Sequence, residues 1–350
     1  SQMINIINGD YIMEKIKYSI IIPSYNGEKT IERALDSIKE QKVNEYEVLI
    51  INDGSTDKSK EIISKYIESD DRFKLINKEN GGQATAVSRG IREAKGEYIV
   101  QLDSDDTLKS NALETIDSEI ESNDILSFGF DFVDESGKLL SIETHKRLEI
   151  KGDDQIHSFL PKIYKDANSF EAFNYLYVYR WACVVRRDIA LQIIDEYEKR
   201  NFSLYEDMCF ILLICSKAKS IKIIDKSLVN YYQVKLTHSR RNENSYESLI
   251  DLRLRLRNFL NSYAEYNNIN VSCFDTMEFD VSKFYLSRMI RKERYKTCKQ
   301  LFKRLNKDDL YLKGLSLTKV DGESKSRKIY FFFLKHHMFM PIYFYFKNKI

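Results

Sequence analysis

The stretch "YSIIIPSYNGE", residues 18–28, decides the fold. Its first six residues form an apolar run of the kind found in strands that are buried on both faces of a sheet. The polar letters that follow the run are typical of a turn. Directly after the turn, Ile31, Ala34, Leu35 and Ile38 have the spacing of one helical face. The stretch therefore predicts a strand, a turn and a helix in succession.

The same succession recurs as far as residue 102. Apolar runs at residues 46–52, 73–77 and 97–102 predict three further strands, and residues 55–68 and 83–94 predict the helices between them. Alternating strands and helices imply parallel strands that are joined by crossover helices. The predicted fold class is α/β, with a Rossmann-like nucleotide-binding sheet and helices on both of its faces.

The pattern changes in the remainder of the chain. Residues 125–149 are strand-like, residues 177–188 predict a strand that leads into a helix, and residues 204–218 predict a largely buried helix. Beyond residue 242 the sequence is charged and amphipathic. We therefore expect a domain boundary near residues 240–245 and a mainly helical C-terminal region.

The composition restricts the class of function and the compartment. The formal net charge of the 350 residues is only +2, which argues against a dedicated nucleic-acid-binding protein. The five cysteines form no C-x-x-C pair and no cluster with zinc-site spacing, which fits a reducing compartment. The sequence starts without the apolar core of a signal peptide, and no apolar run has the length of a membrane span. We therefore expect a cytoplasmic protein.

The run "LDSDD" at residues 102–106 ends the fourth predicted strand with three carboxylates. Carboxylates so close together repel one another, and burial makes them costlier still. A divalent cation removes this repulsion, and Mg²⁺ or Mn²⁺ binds to carboxylate oxygens, phosphates and water. Because ligands bind beyond the carboxyl ends of parallel strands, the run predicts a metal site there. Two alternatives stay open: an ordinary turn, and acids that cap a helix after Thr107.

Four segments in this order resemble the family 2 glycosyltransferases of the GT-A fold, of the bacterial surface-polysaccharide type. They are "SIIIPSYNGEKTIERALDSIKEQ", "VLIINDGSTDKS", "NGGQATAVSRGIREAKGEYIVQLDSDD" and the later "YEDMCF". The resemblance covers residues 18–240, which it implies are the catalytic domain. Within it, residues 18–106 are the nucleotide-sugar-binding half and residues 107–240 the acceptor-binding half. Residues 245–350 form the helical C-terminal region.

The resemblance also implies roles on the donor side. Asp53 matches the acid that hydrogen-bonds the uracil ring, Asp105 matches the direct metal ligand, and Asp103 lies nearer the ribose or a metal-bound water. Val87 stands where many relatives have an arginine, so Arg89 is either a variant nucleotide ligand or a solvated helix residue. The residues implied to bind the nucleotide sugar are Pro23, Tyr25, Glu28, Asp53, Gly82, Arg89, Asp103, Ser104 and Asp106, and those implied to bind the metal are Asp105, Asp103 and His238.

On the acceptor side, Asp207 in "YED" matches the catalytic base of inverting members of the family. A position at a helix N-terminus would hold its carboxylate ionised. The alternative is that Glu206 and Asp207 only cap the helix. For His238 the alternative is a solvated loop residue, and for Trp181 it is a place in the core. The further acceptor-side candidates are Arg180, Trp181, Glu206 and Arg240.

The resemblance implies an inverting, metal-dependent hexosyl- or N-acetylhexosaminyl-transferase. The donor is expected to be a UDP-sugar and the cofactor Mn²⁺ or Mg²⁺. The acceptor is expected to be a hydroxyl of a glycan or lipid-linked glycan, with a β-linkage in the product. A non-catalytic glycan-binding or scaffold protein is one alternative. A sugar nucleotidyltransferase is another, but "PSYNGEKT" lacks the glycine-rich basic loop which that class needs. The donor sugar and the acceptor cannot be read from the sequence.

The segment at residues 324–350 has a composition of its own. It contains six Lys or Arg, nine Tyr or Phe, and no Asp or Glu. Basic and aromatic residues interleaved in this way are typical of a segment that lies on an anionic membrane surface. We therefore expect the protein on the inner face of the plasma membrane. Two alternatives are that the aromatic residues pack against the catalytic domain or form a contact in a homo-oligomer.

Overall fold

The computed structural model of the chain describes residues 4–7, 10–13, 15–163, 179–200, 205–233, 246–270, 274, 277–317 and 325–347. The chain divides into two compact units. The first comprises Ser1–His157 and Tyr175–Thr237, and the second comprises Ser158–Asn174 and His238–Ile350.

The first unit is built on a ten-stranded mixed sheet, preceded by a separate antiparallel hairpin of β1 (Ile4–Ile7) and β2 (Asp10–Met13). Four strands of the large sheet are the ones predicted from the apolar runs: β3 (Tyr18–Ser24), β4 (Tyr46–Asp53), β5 (Phe73–Lys78) and β6 (Tyr98–Gln101). They are mutually parallel and lie in the order β5, β4, β3, β6. Every residue of β3 and β4 is buried, as expected for strands covered on both faces.

Three helices connect these strands: α1 (Ile31–Lys39), α2 (Ser59–Ser69) and α3 (Gln83–Glu93). The predicted apolar face of α1 is fully buried. A side chain at Gly90 in α3 would lie only 2.5 Å from Cγ2 of Ile21, so glycine is what allows α3 to pack this closely on β3. The α/β fold class predicted from the sequence is confirmed by these elements.

The topology creates a crevice at the carboxyl edge of the sheet. β3 lies between β4 and β6, so the connection from β3 runs to a neighbour on one side, and the connection from β5 runs to a strand on the other side. Such a reversal of strand order is where α/β sheets bind ligands. The loops after β3 and β6 approach each other closely, since a Cβ on Gly27 would lie 3.5 Å from Oγ of Ser104. The acid-rich end of β6 therefore lies beside the polar loop of the opening stretch.

The other half of the sheet contains six strands: β7 (Thr107–Leu108), β8 (Ile125–Val133), β9 (Leu139–Glu143), β10 (Leu148–Lys151), β11 (Cys183–Arg186) and β12 (Ser220–Tyr232). β11 is antiparallel to both β6 and β8, and so joins the two halves. β12 runs parallel to β8 and also pairs with the short strand β7. The β7–β12 pairing brings the end of β12 next to the acidic run after β6.

Three helices complete the first unit: α4 (Ala112–Ile120), α6 (Arg187–Arg200) and α7 (Glu206–Lys217), with a short 3-10 helix at Arg180–Ala182. Between α4 and α6, α5 (Asp153–Ile163) begins in the first unit and continues into the second. Residues 158–174 were predicted to belong to the catalytic domain. The division into units groups Ser158–Asn174 with the second unit, and in the described part of that segment Phe159 and Leu160 of α5 are buried. The bounds of the catalytic domain stay a prediction.

The second unit is helical, as the sequence predicts. Its remaining helices are α8 (Tyr246–Tyr266), α9 (Met277–Lys292), α10 (Tyr295–Leu305), α11 (Asp309–Leu317), α12 (Lys325–Lys335) and α13 (Phe339–Lys347). A tight turn joins the last two, with His337 in the left-handed region at φ 55°. None of the helices in the described ranges has both the length and the apolarity needed to cross a bilayer.

Candidate active site

The loops that follow β3 and β4 are held together by hydrogen bonds between side chains and backbone. The backbone N–H of Asn26 donates to Oγ of Ser55 at 3.0 Å, and Oδ1 of Asn26 accepts from the N–H of Thr56 at 2.9 Å. The N–H of Gly27 donates to Oγ of Ser59 at 2.9 Å. Asn, Gly and Ser therefore do more here than form turns, because they fix two adjacent strand ends as one wall of the crevice.

Three predicted nucleotide-sugar residues lie on this wall. Pro23 is buried in β3, whereas Tyr25 is 44% exposed at the start of the loop. Glu28 belongs to the same bonded network, since its N–H donates to Oδ2 of Asp57 at 2.9 Å and its Oε2 accepts from the N–H of Lys58 at 3.2 Å. The exposed ring of Tyr25 is thus presented by a rigid loop, an arrangement suited to stacking on a nucleobase.

Asp53, at the end of β4, is buried and bonded on both oxygens. Its Oδ1 accepts from Nζ of Lys78 and from the N–H of Gly81 at 2.9 Å, and its Oδ2 accepts from the N–H of Gly82 at 2.8 Å. Gly82 has φ 90°, a conformation that a side chain would strain. Asp53 thus fixes the loop before α3, and its predicted bond to a uracil ring would have to use the remaining lone pair of Oδ2.

The sequence left open whether Arg89 is a nucleotide ligand or a solvated helix residue, and in the structure it is a solvated helix residue. Its Nε donates to Oε1 of Glu93 at 2.9 Å, four residues later in α3, and both side chains are nearly half exposed. This is the geometry of a solvated ion pair on a helix surface.

The acidic run after β6 brings three carboxylates together. Oxygens of Asp103, Asp105 and Asp106 lie within 4.8 Å of one another. Asp106 is fully buried, and its Oδ1 accepts from the backbone N–H of Tyr232 at 2.9 Å. Its Oδ2 is also buried, and it has no hydrogen-bond partner in the part of the chain that the structure describes. A buried, unpartnered carboxylate oxygen is costly unless a positive group binds it.

The helix-capping interpretation of these acids does not hold. The residues after them form β7, and the next helix, α4, begins only at Ala112 with Asn111 as its N-cap. The acids therefore lie on a segment between two strands rather than in the first turn of a helix.

The electrostatics of the cluster match a divalent cation. Burial, with the negative charge of Asp103, raises the pKa of Asp105. Burial and the charges of Asp105 and Asp103 raise the pKa of Asp106 well above its ordinary value. Ionised forms are thus disfavoured in the protein alone. An all-oxygen donor set with an unpartnered buried oxygen fits Mg²⁺ or Mn²⁺. The predicted ligands Asp105 and Asp103 are two of the residues that would hold the ion, and Asp106, predicted to bind the sugar, is a third.

Two arginines that face the cluster were not recognised as such from the sequence. Nη2 of Arg33, in α1, donates to the backbone carbonyl of Asp105 at 2.5 Å, and the guanidinium lies over the ring of Tyr232 at 3.4 Å. This stacking fixes Arg33 beside the acids without neutralising a carboxylate directly.

The second arginine, Arg180, is completely buried and connects two carboxylates. Its Nη2 donates to Oδ1 of Asp103, and its Nε lies 3.0 Å from Oδ1 of Asp207. Its Nη1 donates to Oε1 of Gln101 at 3.3 Å. Oδ1 of Asp103 also accepts from Nε2 of Gln83 at 3.0 Å. Arg180 was predicted on the acceptor side, but its 0% exposure makes it an internal bridge rather than a surface contact.

Asp207 lies in the first turn of α7, as predicted. The residue before the helix, Tyr205, has φ 66°, an uncommon conformation that sets the direction in which the helix begins. Oδ1 of Asp207 is buried, although the side chain as a whole is 28% exposed. Burial raises the pKa of Asp207, with the Arg180 cation opposing the rise and Asp103 adding to it. Burial therefore opposes the ionised form that the helix N-terminus and the Arg180 cation favour.

Trp181 lies in the core, the alternative that the sequence left open. It is 2% exposed, and the rings of Tyr179 and Tyr231 stack on it at centroid distances of 5.0 and 5.3 Å. The edge of Phe130 contacts it at 4.9 Å. No face of the indole is open to an acceptor sugar in this arrangement. Glu206, next to Asp207, is partly exposed at the start of α7.

His238 and Arg240, the two other predicted residues, lie outside the described residues. Among the contacts that the sequence missed, the bridging position of Arg180 carried a usable signal. Arg180 is the one charged letter in the apolar segment "YVYRWACVV", and a buried cation needs an acidic partner. Gln83, Arg33 and Tyr232 carried none, because their contacts depend on how the strands pair.

The open α/β sheet and the acid cluster at its switch point are the architecture expected of a GT-A glycosyltransferase. A sequence profile of the family described as "Glycosyl transferase family 2" matches residues 19–194, half of the chain. The chain belongs to the family 2 glycosyltransferases.

The relatives agree with this assignment. The chain is 30% identical to the uncharacterized glycosyltransferase EpsJ of Bacillus subtilis over 217 residues, 61% of this chain and 60% of EpsJ. It is 26% identical to the cholesterol galactosyltransferase of Borreliella burgdorferi over 226 residues, 63% of this chain and 62% of that protein. The chain thus spans about three fifths of these two relatives.

A solved structure supports the fold. The crystal structure of S. aureus TarS 1-349 in complex with UDP aligns with a TM-score of 0.57 and 18% identity, over 92% of this chain and 87% of that one. At this level of identity the likeness concerns the fold.

Proposed function

We propose that the protein transfers a sugar, with inversion, from a nucleoside-diphosphate donor to a hydroxyl of a glycan or lipid-linked glycan. The donor we propose is a UDP-sugar, and the process is bacterial surface polysaccharide synthesis. The observation that carries the proposal is the position of Arg180, which contacts both a carboxylate of the acid cluster and the carboxylate of Asp207. A donor-side group and a candidate base are thereby held in one site.

The donor side follows from the crevice at the carboxyl edge. The loop after β3, which contains Tyr25, and the loop before α3, which Asp53 binds, form its polar walls. The acid cluster lies at the end of β6. The chemistry that a bound Mg²⁺ or Mn²⁺ supplies here is stabilisation of the negative charge on a departing diphosphate. Gln83 and Arg180 orient Asp103 from two directions, so the cluster is preorganised before a donor arrives.

The acceptor side depends on Asp207. An acceptor hydroxyl is a weak nucleophile until a base removes its proton, and a base is most effective when its pKa is near the working pH. Burial raises the pKa of Asp207 toward that range. As the acceptor oxygen bonds to the anomeric carbon, its proton moves to Asp207 and the bond to the diphosphate oxygen breaks. Attack opposite the leaving group converts an α-linked donor into a β-linked product.

A donor screen tests the proposal. Hydrolysis and transfer are measured for a panel of UDP-, GDP- and dTDP-sugars, each with Mn²⁺, with Mg²⁺ and with excess chelator. We expect one donor class to be consumed only when a divalent cation is present. Asp207→Asn is expected to bind the nucleoside diphosphate like wild type, because Asn keeps the volume, and to lose transfer by about 10²–10⁴-fold.

Asp71→Asn is the matched control, since this acid is exposed and lies outside the site. Full turnover in chelator would contradict the metal requirement, and wild-type transfer by Asp207→Asn would contradict its role as the base. Consumption of no donor under any condition would favour a binding or scaffold protein instead.

A further inference from the structure

The last two helices of the second unit each have an inner face that is packed and buried. In α12 this face contains Tyr330, Phe331 and Leu334, and in α13 it contains Phe339 and Ile342. Part of the aromatic content of this segment thus belongs to a protein core. The remaining aromatic residues of the segment have to be explained from the opposite faces of the two helices.

The opposite face exposes large apolar side chains on both helices. Five such residues are between 43% and 58% exposed: Ile329, Phe332, Met338, Met340 and Phe344. Exposed apolar residues are ordinary when they are scattered, but these five fall within sixteen residues, four of them on two consecutive helices and Met338 in the turn between. We call them, with the lysines described next, the outer face of the α12–α13 hairpin.

Lysine side chains accompany these apolar residues on α12. Lys325, Lys328 and Lys335 of α12 are exposed. Lys325 precedes Ile329 by four residues, and Lys328 and Lys335 lie four residues before and three residues after Phe332, so the three lysines share the outer face of α12. Residues 325–347 contain five Lys or Arg and no Asp or Glu, although the chain as a whole is nearly neutral. The outer face therefore combines apolar insertion with local cationic charge.

We propose that the outer face of the α12–α13 hairpin binds an anionic lipid bilayer, with both helices lying along the surface. Apolar side chains enter the boundary between headgroups and acyl chains, while the lysine stems extend so that their ammonium groups reach lipid phosphates. Anionic lipid is concentrated in the cytoplasmic leaflet of the plasma membrane, which is the location we propose for the protein.

Two features favour lipid over other occupants. A symmetric pairing of two copies through this face would bring its lysines toward each other, and like charges oppose that contact. A nucleic-acid strand would use rings for base stacking, yet Ile329, Met338 and Met340 offer none. A fluid surface with negative headgroups above apolar chains matches both components of the face at once.

Flotation of the full chain with lipid vesicles tests the proposal. Binding is measured to vesicles of phosphatidylcholine alone and of phosphatidylcholine mixed with phosphatidylglycerol, at low and at high ionic strength. We expect binding to the mixed vesicles only, and loss of binding near 1 M salt, where the Debye length is about 3 Å. Lys325→Glu/Lys328→Glu/Lys335→Glu is expected to weaken this binding at least tenfold, because each base near an anionic surface contributes favourably.

Matched variants separate the outer face from general effects. Lys60→Glu/Lys65→Glu/Lys138→Glu makes the same change in net charge at exposed positions of the first unit. Phe332→Ser/Phe344→Ser removes exposed rings of the face, and Leu140→Ser/Ile142→Ser removes equally exposed apolar residues of β9. Only the two outer-face variants should lose vesicle binding.

Three results would overturn the proposal. They are equal binding by all variants, equal binding to both kinds of vesicle, and no binding of wild type at low salt. If wild type fails to bind and instead forms dimers that Phe332→Ser/Phe344→Ser abolishes, the face is a contact between copies of the chain.

Discussion

Arg180 determines how the carboxylates of the site are arranged relative to each other. Its planar guanidinium contacts Asp103 through one nitrogen and Asp207 through another, and none of the side chain is exposed. A buried cation between two acids offsets their mutual repulsion and defines their separation. Arg180 is therefore a positioning residue: it acts through Asp103 and Asp207 and leaves proton transfer to the latter.

Replacing this arginine by lysine should affect turnover more than folding. Arg180→Lys keeps the positive charge but loses the planar fork, so one ammonium group cannot contact both carboxylates in the same geometry. We expect kcat to fall about 10–100-fold, the effect of a misplacement of about 1 Å at a reacting group. Nucleoside-diphosphate binding, measured by calorimetry, should change less than kcat.

Arg92→Lys is the control for this substitution, because Arg92 makes comparable ion pairs with Asp195 and Glu198 at the surface. It should leave both quantities unchanged. An Arg180→Lys protein with wild-type kcat would show that Arg180 has no positioning role.

At single positions, the sequence predicted the chemical role of a residue better than its burial. The acidic run after β6 was identified because three carboxylates within four residues repel one another unless a cation binds them. This argument needs only neighbouring residues of the sequence. Arg180 was interpreted as an acceptor contact, and for Trp181 the sequence left both an acceptor contact and a place in the core open. Burial of these two depends on β11 pairing with both β6 and β8, which is a long-range property.

At the scale of elements, the parallel half of the sheet was predictable and the mixed half only in part. The strand-like pattern at residues 125–149 and the strand leading into a helix at residues 177–188 are confirmed by β8 to β11 and α6, whereas β7 and β12 were missed. Strands β3 to β6 are short apolar runs between amphipathic helices, so the spacing of apolar residues along the sequence is enough to predict them. The strand β12 was not predicted, because its thirteen residues carry charged side chains in the middle, where two are exposed. The two-residue strand β7 has no pattern to detect, yet its pairing brings Tyr232 to the acid cluster.

An ion-pair network attaches α4 to this mixed half. Glu119 accepts two hydrogen bonds of 2.8 Å from the guanidinium of Arg147, and the ammonium groups of Lys222 and Lys226 each lie 3.3 Å from its carboxylate. The hydrogen bonds from Arg147 have the largest effect on the pKa of Glu119, and burial, the next largest, opposes them. With further hydrogen bonds from Lys222 and Lys226, the net result is a pKa lowered from 4.5 to about 2. The network therefore stabilises the folded state only while Glu119 is ionised.

Glu119→Gln should destabilise the protein in a pH-dependent way. A depressed folded-state pKa gives stability that is present above the unfolded value of 4.5 and is lost as the pH falls toward 2. At pH 7 we expect the free energy of unfolding to fall by about 1–2 kcal/mol, a value reduced for solvent screening of the half-exposed cations. Urea denaturation should show the difference from wild type shrinking between about pH 5 and pH 3.

The same substitution at Glu114, on the exposed side of α4, serves as the comparison. Its pairing with Lys42 is loose, at 3.7 Å, so Glu114→Gln should have little effect at any pH. A Glu119→Gln effect that is the same at pH 7 and pH 3 would mean that packing, rather than charge, is responsible.

At the scale of the whole molecule, the sequence located the change from mixed to helical structure but not the full division of the chain. The shift in composition near residue 242 precedes the first described helix of the second unit, α8 (Tyr246–Tyr266), and the boundary predicted at residues 240–245 stays a prediction. The grouping of the last part of α5 with the second unit has no compositional signal, because α5 is amphipathic and fits either unit. The composition of the tail was similarly ambiguous, since a count of aromatic residues does not tell which of them face inward.

The second unit contains a buried ion pair that offers a test of this division. Arg253 in α8 is 4% exposed, and its guanidinium donates to both carboxylate oxygens of Asp308 at 2.8 and 2.9 Å. Oδ1 of Asp308 also accepts from the N–H of Tyr311 at 2.9 Å, which makes Asp308 the cap of α11. One carboxylate thus stabilises the contact between two helices and the start of one of them.

Asp308→Asn should destabilise the second unit selectively. Asn retains the cap but removes the charge, so a buried guanidinium loses its ionic partner, a change that costs about 3 kcal/mol or more. Hydrogen exchange followed by mass spectrometry should show faster exchange in α8 to α11 and unchanged protection in β3, β4 and β6, because compact units open separately. Asp309→Asn, the same change at the exposed neighbouring position, should leave exchange unaffected. Uniformly faster exchange in both units of Asp308→Asn would show that the chain opens as one cooperative structure, and the division into two units would then have no thermodynamic counterpart.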